Sequence, residues 1–153
     1  MFGSTVQAVA ALPWTWAVET LTTAQHYWIA TTRPNGTPHT RPVWGVVLDD
    51  TVLFSTGSLA DGNLRARSDI SVHTESATQV VIIEGQAELE PDRRVIERAC
   101  VAYEAKYQEA MDPDALPGPF WAVRPHKVFG WLSSPTYLDG GAVFHATATR
   151  WSF

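Results

Sequence analysis

The feature that most restricts the fold is a run of short β-prone segments between residues 27 and 90, separated by turn signals. Three strands are predicted first, at residues 27–33, 37–48 and 51–56. Pro-Asn-Gly at 34–36 is a strong turn signal, and Asp49 and Asp50 permit a second tight turn. Pro42 indicates a sheet edge or a bulge, because proline cannot donate a ladder hydrogen bond. This pattern predicts a three-strand antiparallel meander.

The remainder of the chain contains further short β-prone segments. Two further strands are predicted at residues 70–75 and 79–90, and residues 117–132 read as a loop that enters a sixth strand. The C-terminal segment 146–153 is also β-prone. Many short strands with few helices are typical of a small barrel, so we predict a mainly β fold with flanking helices.

Two segments have helical periodicity. Residues 13–25 begin with Pro13, which is favoured in the first turn of a helix. Residues 91–112 form the clearest helix, which Pro113 is expected to end. Its apolar stripe consists of Val95, Ile96, Ala99, Tyr103, Tyr107 and Ala110. Cys100 lies beside this stripe, which favours a packed, unreactive thiol over a nucleophile.

Composition restricts the class of protein. The 153 residues, 45% hydrophobic and 18% charged, are typical of one globular domain (1–153), with residues 1–12 a candidate flexible segment. A net charge of −5 provides no basic surface for nucleic acid or an anionic membrane. No apolar run approaches the roughly 18 residues that span a bilayer, and the N-terminus lacks signal-peptide features. We therefore expect a soluble, cytoplasmic protein.

No motif for metal binding or side-chain catalysis is present. The five histidines are scattered without metal-ligand spacing, and one cysteine offers neither a disulfide nor a thiolate cluster. The chain has no G-x-S-x-G elbow, and GSLADG at 57–62 matches neither a P-loop nor a dinucleotide fingerprint. Any catalytic reactivity would therefore come from a bound cofactor. The seven tryptophans could fill the core, line a ligand pocket or form subunit contacts.

Several separated motifs resemble the pyridoxamine-5′-phosphate-oxidase-like, FMN-binding split-barrel superfamily. They begin with YWIATTRPNGTPHTRPVWGVVLDDTVLFSTGS and continue with NL, SVHTES, VVIIEGQAE, YEAKY, FWAVRPHKVFGW and the terminal ATRWSF. The likeness covers nearly the whole chain from about Trp14 and looks closest to the actinobacterial flavin and deazaflavin (F420) oxidoreductases. It implies a six-stranded antiparallel split β-barrel that forms homodimers, with cofactor sites at the subunit interface.

The resemblance also implies where a flavin or deazaflavin ring would lie. The RPVW strand and the end of the FSTG strand would hold the ring, and the partner subunit's C-terminal half would close the site. Hydroxyls and backbone amides can bind the pyrimidine edge, while apolar side chains exclude water. The implied cofactor-binding residues are Arg41, Pro42, Val43, Trp44, Phe54, Ser55, Thr56, Ser58, Asn63, Arg65, Arg67, Trp131, Arg150 and Trp151. For the aromatic residues, a purely structural role is an equal alternative.

The phosphate loop departs from the family pattern S-x-K-x-[RG]-N-L. Residues 58–64 read SLADGNL, so Ala60 stands where lysine is expected and Asp61 adds a negative charge. A phosphate beside Asp61 would lose its lysine partner and be repelled. The candidates to compensate are Arg41 on the adjacent strand and Arg65 and Arg67 on a helix predicted to follow Asn63. A surface role for the two helix arginines is an equal alternative.

The resemblance implies an oxidoreductase that transfers hydride from reduced F420 or FMN to a small conjugated acceptor, with F420 favoured and no catalytic residue assigned. The alternative is a non-catalytic split-barrel protein that binds flavin, haem or another hydrophobic ligand, or that retains no cofactor because its phosphate site has degraded. FMN-dependent oxidation of pyridoxamine phosphate has the least support, because the acidic chain lacks a second basic cluster for the substrate phosphate.

Overall fold

The structure is a computed structural model that describes residues 11–153. In chain order its first elements are α1 (Trp14–Thr23), β1 (Tyr27–Thr32), β2 (Pro38–Val43), β3 (Gly45–Leu48), β4 (Thr51–Ser55) and α2 (Leu59–Ala66). They are followed by β5 (Asp69–Thr74), β6 (Gln79–Leu89), α3 (Arg93–Tyr107), β7 (Phe120–Leu132), α4 (Ala142–Thr147) and β8 (Thr149–Ser152).

All the strands belong to one antiparallel sheet. Its order is β2-β1-β5-β6-β7-β4-β3, and β8 pairs with β7 outside this path. The strands at the two ends of the order, β2 and β3, are separated in the chain by Trp44 alone. Because neighbouring strands lie about 4.8 Å apart, one residue cannot connect the ends of a flat seven-stranded sheet. The sheet therefore curls until its ends meet at Trp44, as in a split barrel.

The prediction of a mainly β split barrel with flanking helices is confirmed, but two of its details are wrong. The structure has eight strands rather than six, because residues 37–48 divide at Trp44 and the C-terminal segment adds β8. Residues 27–56 do not form a three-strand meander, since β2 pairs with β1 whereas β3 pairs with β4 at the opposite end of the sheet. Local sequence indicates strands and turns, but barrel closure decides which strands pair.

Two helix predictions also need correction. The helix predicted over residues 91–112 ends at Tyr107, because Gln108 adopts a left-handed conformation with a φ of 56°. Ala110 and Pro113 therefore lie beyond α3. In the first half of the chain α2 begins at Leu59, so residues interpreted as part of the phosphate loop belong to the first turn of a helix.

The apolar core has two parts. The barrel interior contains completely buried side chains such as Tyr27 and Phe54, with Trp14, Trp16 and Trp151 packed against it. A second cluster lies beneath α3. It includes Ala99, Cys100, Tyr103, Leu53 and Phe120. Cys100 is buried and burial raises the pKa of its thiol, so the prediction of a packed thiol is confirmed.

Residues 11 and 12 of the candidate flexible segment lie within the described range. Residues 1–10 of the candidate flexible segment lie outside that range, whereas the Leu12 amide donates to Thr149 Oγ1 at 2.9 Å. Between residues 11 and 153, no helix is long and apolar enough to cross a membrane. The same residues contain no group of three or more His, Cys, Asp or Glu side chains placed to hold a metal ion.

Candidate functional site

A cavity of about 360 Å³ lies beside the point where the sheet closes. It is lined by His26, Arg41, Pro42, Val43, Trp44, Ser55, Tyr103, Met111 and Pro117. Five of these residues are among the fourteen predicted to bind a cofactor. The volume and the mixture of apolar walls with a few polar groups are typical of a small-molecule site. A larger cleft of about 420 Å³ on the outer side of the sheet contains none of the fourteen and is more polar.

Arg41, which lines this cavity, meets two hydroxyl groups at the start of α2. Arg41 Nη1 donates to Ser58 Oγ, and the hydroxyls of Ser58 and Thr56 are 3.2 Å apart. Ser58 is the N-cap of α2, and its hydroxyl accepts from the Ala60 amide at 3.4 Å. Because a helix N-terminus has unpaired amides and a positive dipole end, this arrangement is suited to an anion. Arg41 contributes the full positive charge.

The two residues that depart from the family pattern both make contacts within the protein. Ala60 is completely buried in the barrel core. Asp61 receives two hydrogen bonds, from Arg65 Nε at 2.9 Å and from the indole nitrogen of buried Trp121 at 3.1 Å. The Arg65 guanidinium also lies 5.9 Å from the centre of the Trp121 ring. Arg65 therefore pairs with Asp61, and its contact with a cofactor phosphate stays a prediction.

We expect Asp61→Ala to lower the free energy of unfolding by about 1–3 kcal/mol, because it leaves the buried Trp121 N–H unpaired. Chemical denaturation measures this change. As a control, Arg65→Ala breaks a half-exposed pair and should cost less than about 1 kcal/mol. If Asp61 instead acted by repelling an anion, its removal would tighten anion binding by an order of magnitude while stability stayed unchanged.

The remaining predicted residues are distributed over the molecule. Phe54 is completely buried, and Asn63 is buried with its amide donating to Thr31 Oγ1 at 3.0 Å. Arg67 follows the last residue of α2 and is exposed. Three others lie on β7 and β8, away from the cavity: Trp131, Arg150 and Trp151. The resemblance assigns these three to the partner subunit's site, which a single chain does not contain.

The sequence did not indicate that side chains of α3 bind the backbone where β2 passes into β3. Tyr103 donates to the Trp44 carbonyl at 2.6 Å, and the Tyr107 ring stacks on the Trp44 indole at 4.3 Å with an angle of 5°. Lys106 Nζ donates to the Gly45 carbonyl and to the Tyr27 hydroxyl, both at 2.9 Å. The spacing of the YEAKY segment placed both tyrosines on the apolar stripe, but it did not indicate that they bind the Trp44–Gly45 backbone.

Burial lowers the pKa of Lys106 from 10.5 to about 8. Since the unfolded chain binds the proton more tightly, the charged lysine destabilises the fold below pH 8, and this effect disappears as the pH rises toward 10.5. We therefore expect the stability of the natural protein to increase relative to Lys106→Met between about pH 8 and 10. Urea denaturation of both proteins across this range tests it, and a difference that falls with pH would contradict the assignment.

A family model described as pyridoxamine 5′-phosphate oxidase matches residues 17–152. No curated protein matches the chain. Among solved structures, the conserved hypothetical protein Rv2991 from Mycobacterium tuberculosis is 20% identical over 83% of this chain and 88% of its own, with a TM-score of 0.70.

Two other solved structures share the fold. A heme binding protein from Mycobacterium smegmatis is 20% identical over 75% of this chain and 52% of its own, with a TM-score of 0.60. A protein described as an F420 reductase is 18% identical over 72% of this chain and 93% of its own, with a TM-score of 0.56. At such identities the likeness concerns the fold, since one fold carries many functions.

Proposed function

The chain belongs to the pyridoxamine 5′-phosphate oxidase family, and from this membership we propose that the cavity beside Trp44 binds a flavin-type cofactor. The observation that carries the proposal is the meeting of Arg41 and Ser58 at the start of α2, next to an aromatic-walled cavity. An anionic group and a planar ring are the two parts that such a cofactor presents. The names of the F420 reductase and heme-binding neighbours agree with a site for a large conjugated ligand.

The residues present fit this group chemically. Arg41 and the hydroxyls of Ser58 and Thr56 would hold the phosphate, while Pro42, Trp44 and Met111 provide apolar surface for the ring. Ser55 would add a polar contact, although its hydroxyl already donates to the Gly118 carbonyl at 2.7 Å. When bound, the cofactor supplies the hydride, and the chain's part is to orient the ring and exclude water from its reactive face.

At the phosphate itself, F420 fits this site better than FMN for an electrostatic reason. FMN ends in a phosphomonoester with up to two negative charges, whereas the phosphate of F420 is a diester with one. Arg41 is the cation that contacts Ser58, and the lysine that the family pattern would add is replaced by the buried Ala60. A single guanidinium neutralises a diester more completely than a monoester. We propose hydride transfer from reduced F420 to a small conjugated acceptor as the reaction.

Titration of the purified protein with F420 and, separately, with FMN tests the proposal, with quenching of tryptophan fluorescence as the readout. We expect saturable micromolar binding, tighter for F420, followed by F420H2 consumption with a panel of enones, quinones and tetrapyrroles. Absence of binding by both cofactors would refute the proposed site. Tighter binding of FMN would refute the electrostatic argument while keeping the site.

A second candidate is ligand binding without turnover. The buried Ala60 favours it, because α2 offers no basic side chain in its first turn and the affinity for a phosphate is correspondingly reduced. In that case haem or another hydrophobic ligand would saturate the fluorescence signal, and no acceptor in the panel would be reduced.

We also propose a homodimer in which a second copy completes the cofactor site. On the outer face of β1, Trp28 is 39% exposed and lies opposite Pro42 and His73 on the adjacent strands. An exposed tryptophan on a sheet face is typical of an interface. Light scattering should give twice the monomer mass of 16.9 kDa. A monomer would remove the proposed two-subunit site.

A further inference from the structure

The backbone at the barrel closure is held by three side chains of α3. Tyr103 binds the Trp44 carbonyl at 2.6 Å, and Lys106 binds the Gly45 carbonyl at 2.9 Å. The Tyr107 hydroxyl accepts from the Gly45 amide at 2.9 Å. Each contact joins residues about 60 positions apart in the chain. All three involve Trp44 or Gly45, where the ends of the sheet meet.

Lys106 is an unusual member of this group. Its ammonium lies 4.8 Å from the centre of the Tyr27 ring and 5.3 Å from that of Tyr107. None of the ion pairs observed within residues 11–153 involves it. A half-buried cation that is held by two oxygens and two aromatic faces costs more desolvation energy than an apolar side chain would. Packing alone therefore does not account for a lysine here.

One of the two rings that Lys106 contacts, that of Tyr107, leads directly to the cavity wall. Tyr107 stacks in parallel on Trp44, and Trp44 lines the cavity with 40% of its surface exposed. One indole face is therefore covered by Tyr107, while part of the residue stays accessible from the cavity. A planar ligand could pack on that accessible part, but only if the indole is kept at a defined angle.

We propose that Lys106 is a positioning residue of this cavity. By binding Gly45 and Tyr27 and by attracting the Tyr107 ring, it keeps Trp44 stacked and rigid as the wall against which a planar conjugated ligand packs. The inference rests on the proposed function for the identity of the ligand, but the orientation of Trp44 can be tested without any ligand.

Lys106→Met tests this inference, because methionine keeps much of the side-chain volume and removes the charge and the donors. The chain has one other lysine, the exposed Lys127 on β7, so Lys127→Met is the matched control. The first readout is the indole N–H resonance of Trp44, assigned from Trp44→Phe. The second is the dissociation constant for F420 and for FMN.

In Lys106→Met we expect the Trp44 resonance to shift and the dissociation constant to rise roughly tenfold, and in Lys127→Met we expect neither change. An unchanged resonance together with an unchanged dissociation constant in Lys106→Met would overturn the inference. If neither cofactor binds the natural protein, the proposed function fails, whereas the resonance still decides the role of Lys106.

If Lys106→Met does not fold, a pH titration of the natural protein replaces it. Selective ¹³C-lysine labelling follows the charge of Lys106 directly, and the Trp44 resonance should move with the same midpoint, at about pH 8. The phenols of Tyr27 and Tyr107, which face Lys106, and that of the nearby Tyr103 stay neutral there, because burial raises the pKa of all three. The His26–Glu75 pair at the rim is controlled by repeating the titration in His26→Gln. A Trp44 resonance that stays constant while Lys106 titrates would overturn the inference.

Discussion

Arg41→Ala is expected to weaken binding of F420 or FMN by roughly 10- to 100-fold, the value of one hydrogen bond between a cation and a phosphate. The reason is geometric: Arg41 is the cation whose guanidinium donates to the N-cap hydroxyl of α2. The free energy of unfolding should change by less than about 1 kcal/mol, since Arg41 is only partly buried. Fluorescence titration and urea denaturation of the same preparation give both numbers.

Substitution of three other arginines tests whether Arg41, rather than an arginine of α2, binds the anion. Arg94→Ala removes an exposed arginine on α3 and serves as the control. Arg65→Ala and Arg67→Ala remove the two helix candidates, and we expect each to change the affinity less than threefold, which is roughly 0.7 kcal/mol. A large loss in Arg65→Ala with none in Arg41→Ala would show that the anion is bound on the other side of α2.

Ala60→Lys, which restores the lysine of the family pattern, is expected to destabilise the protein by about 3 kcal/mol or more and to leave cofactor affinity no better. The Ala60 side chain is 0% exposed and packs in the barrel core. A lysine there must either place its stem and charge among apolar neighbours or displace α2. Thermal or urea denaturation measures the loss, and titration of the folded fraction measures the affinity.

The matched control for this substitution lies on the same helix. Ala66 is exposed in the last turn of α2, where a cation interacts favourably with the helix dipole. Ala66→Lys should therefore be neutral or slightly stabilising. If Ala60→Lys folds as stably as Ala66→Lys and binds FMN more tightly, position 60 can reach the phosphate and the assignment of α2 is wrong.

Much of the fold could be predicted because its signals are local. Aromatic and β-branched segments bounded by turn residues indicated the strands, and the apolar stripe of residues 91–112 indicated the long helix. The family motifs indicated the split barrel as well. The division of residues 37–48 into two strands and the wrong pairing of those strands share one cause. Trp44 is a single residue between two strands, and nothing local shows that it joins opposite ends of a sheet.

Some features of the candidate site were likewise evident from the sequence, and others were not. The sequence by itself determined the RPVW strand with its arginine, Ser58 as a candidate ligand and the replacement of the expected lysine by alanine. Only the tertiary structure decided that the Trp121 indole donates to Asp61, that Ala60 faces the core and that Lys106 reaches Gly45. The physical reason is sequence separation. A charge or donor is satisfied by whichever groups the closed barrel brings within about 3 Å, and these groups come from strands and helices far apart in the chain.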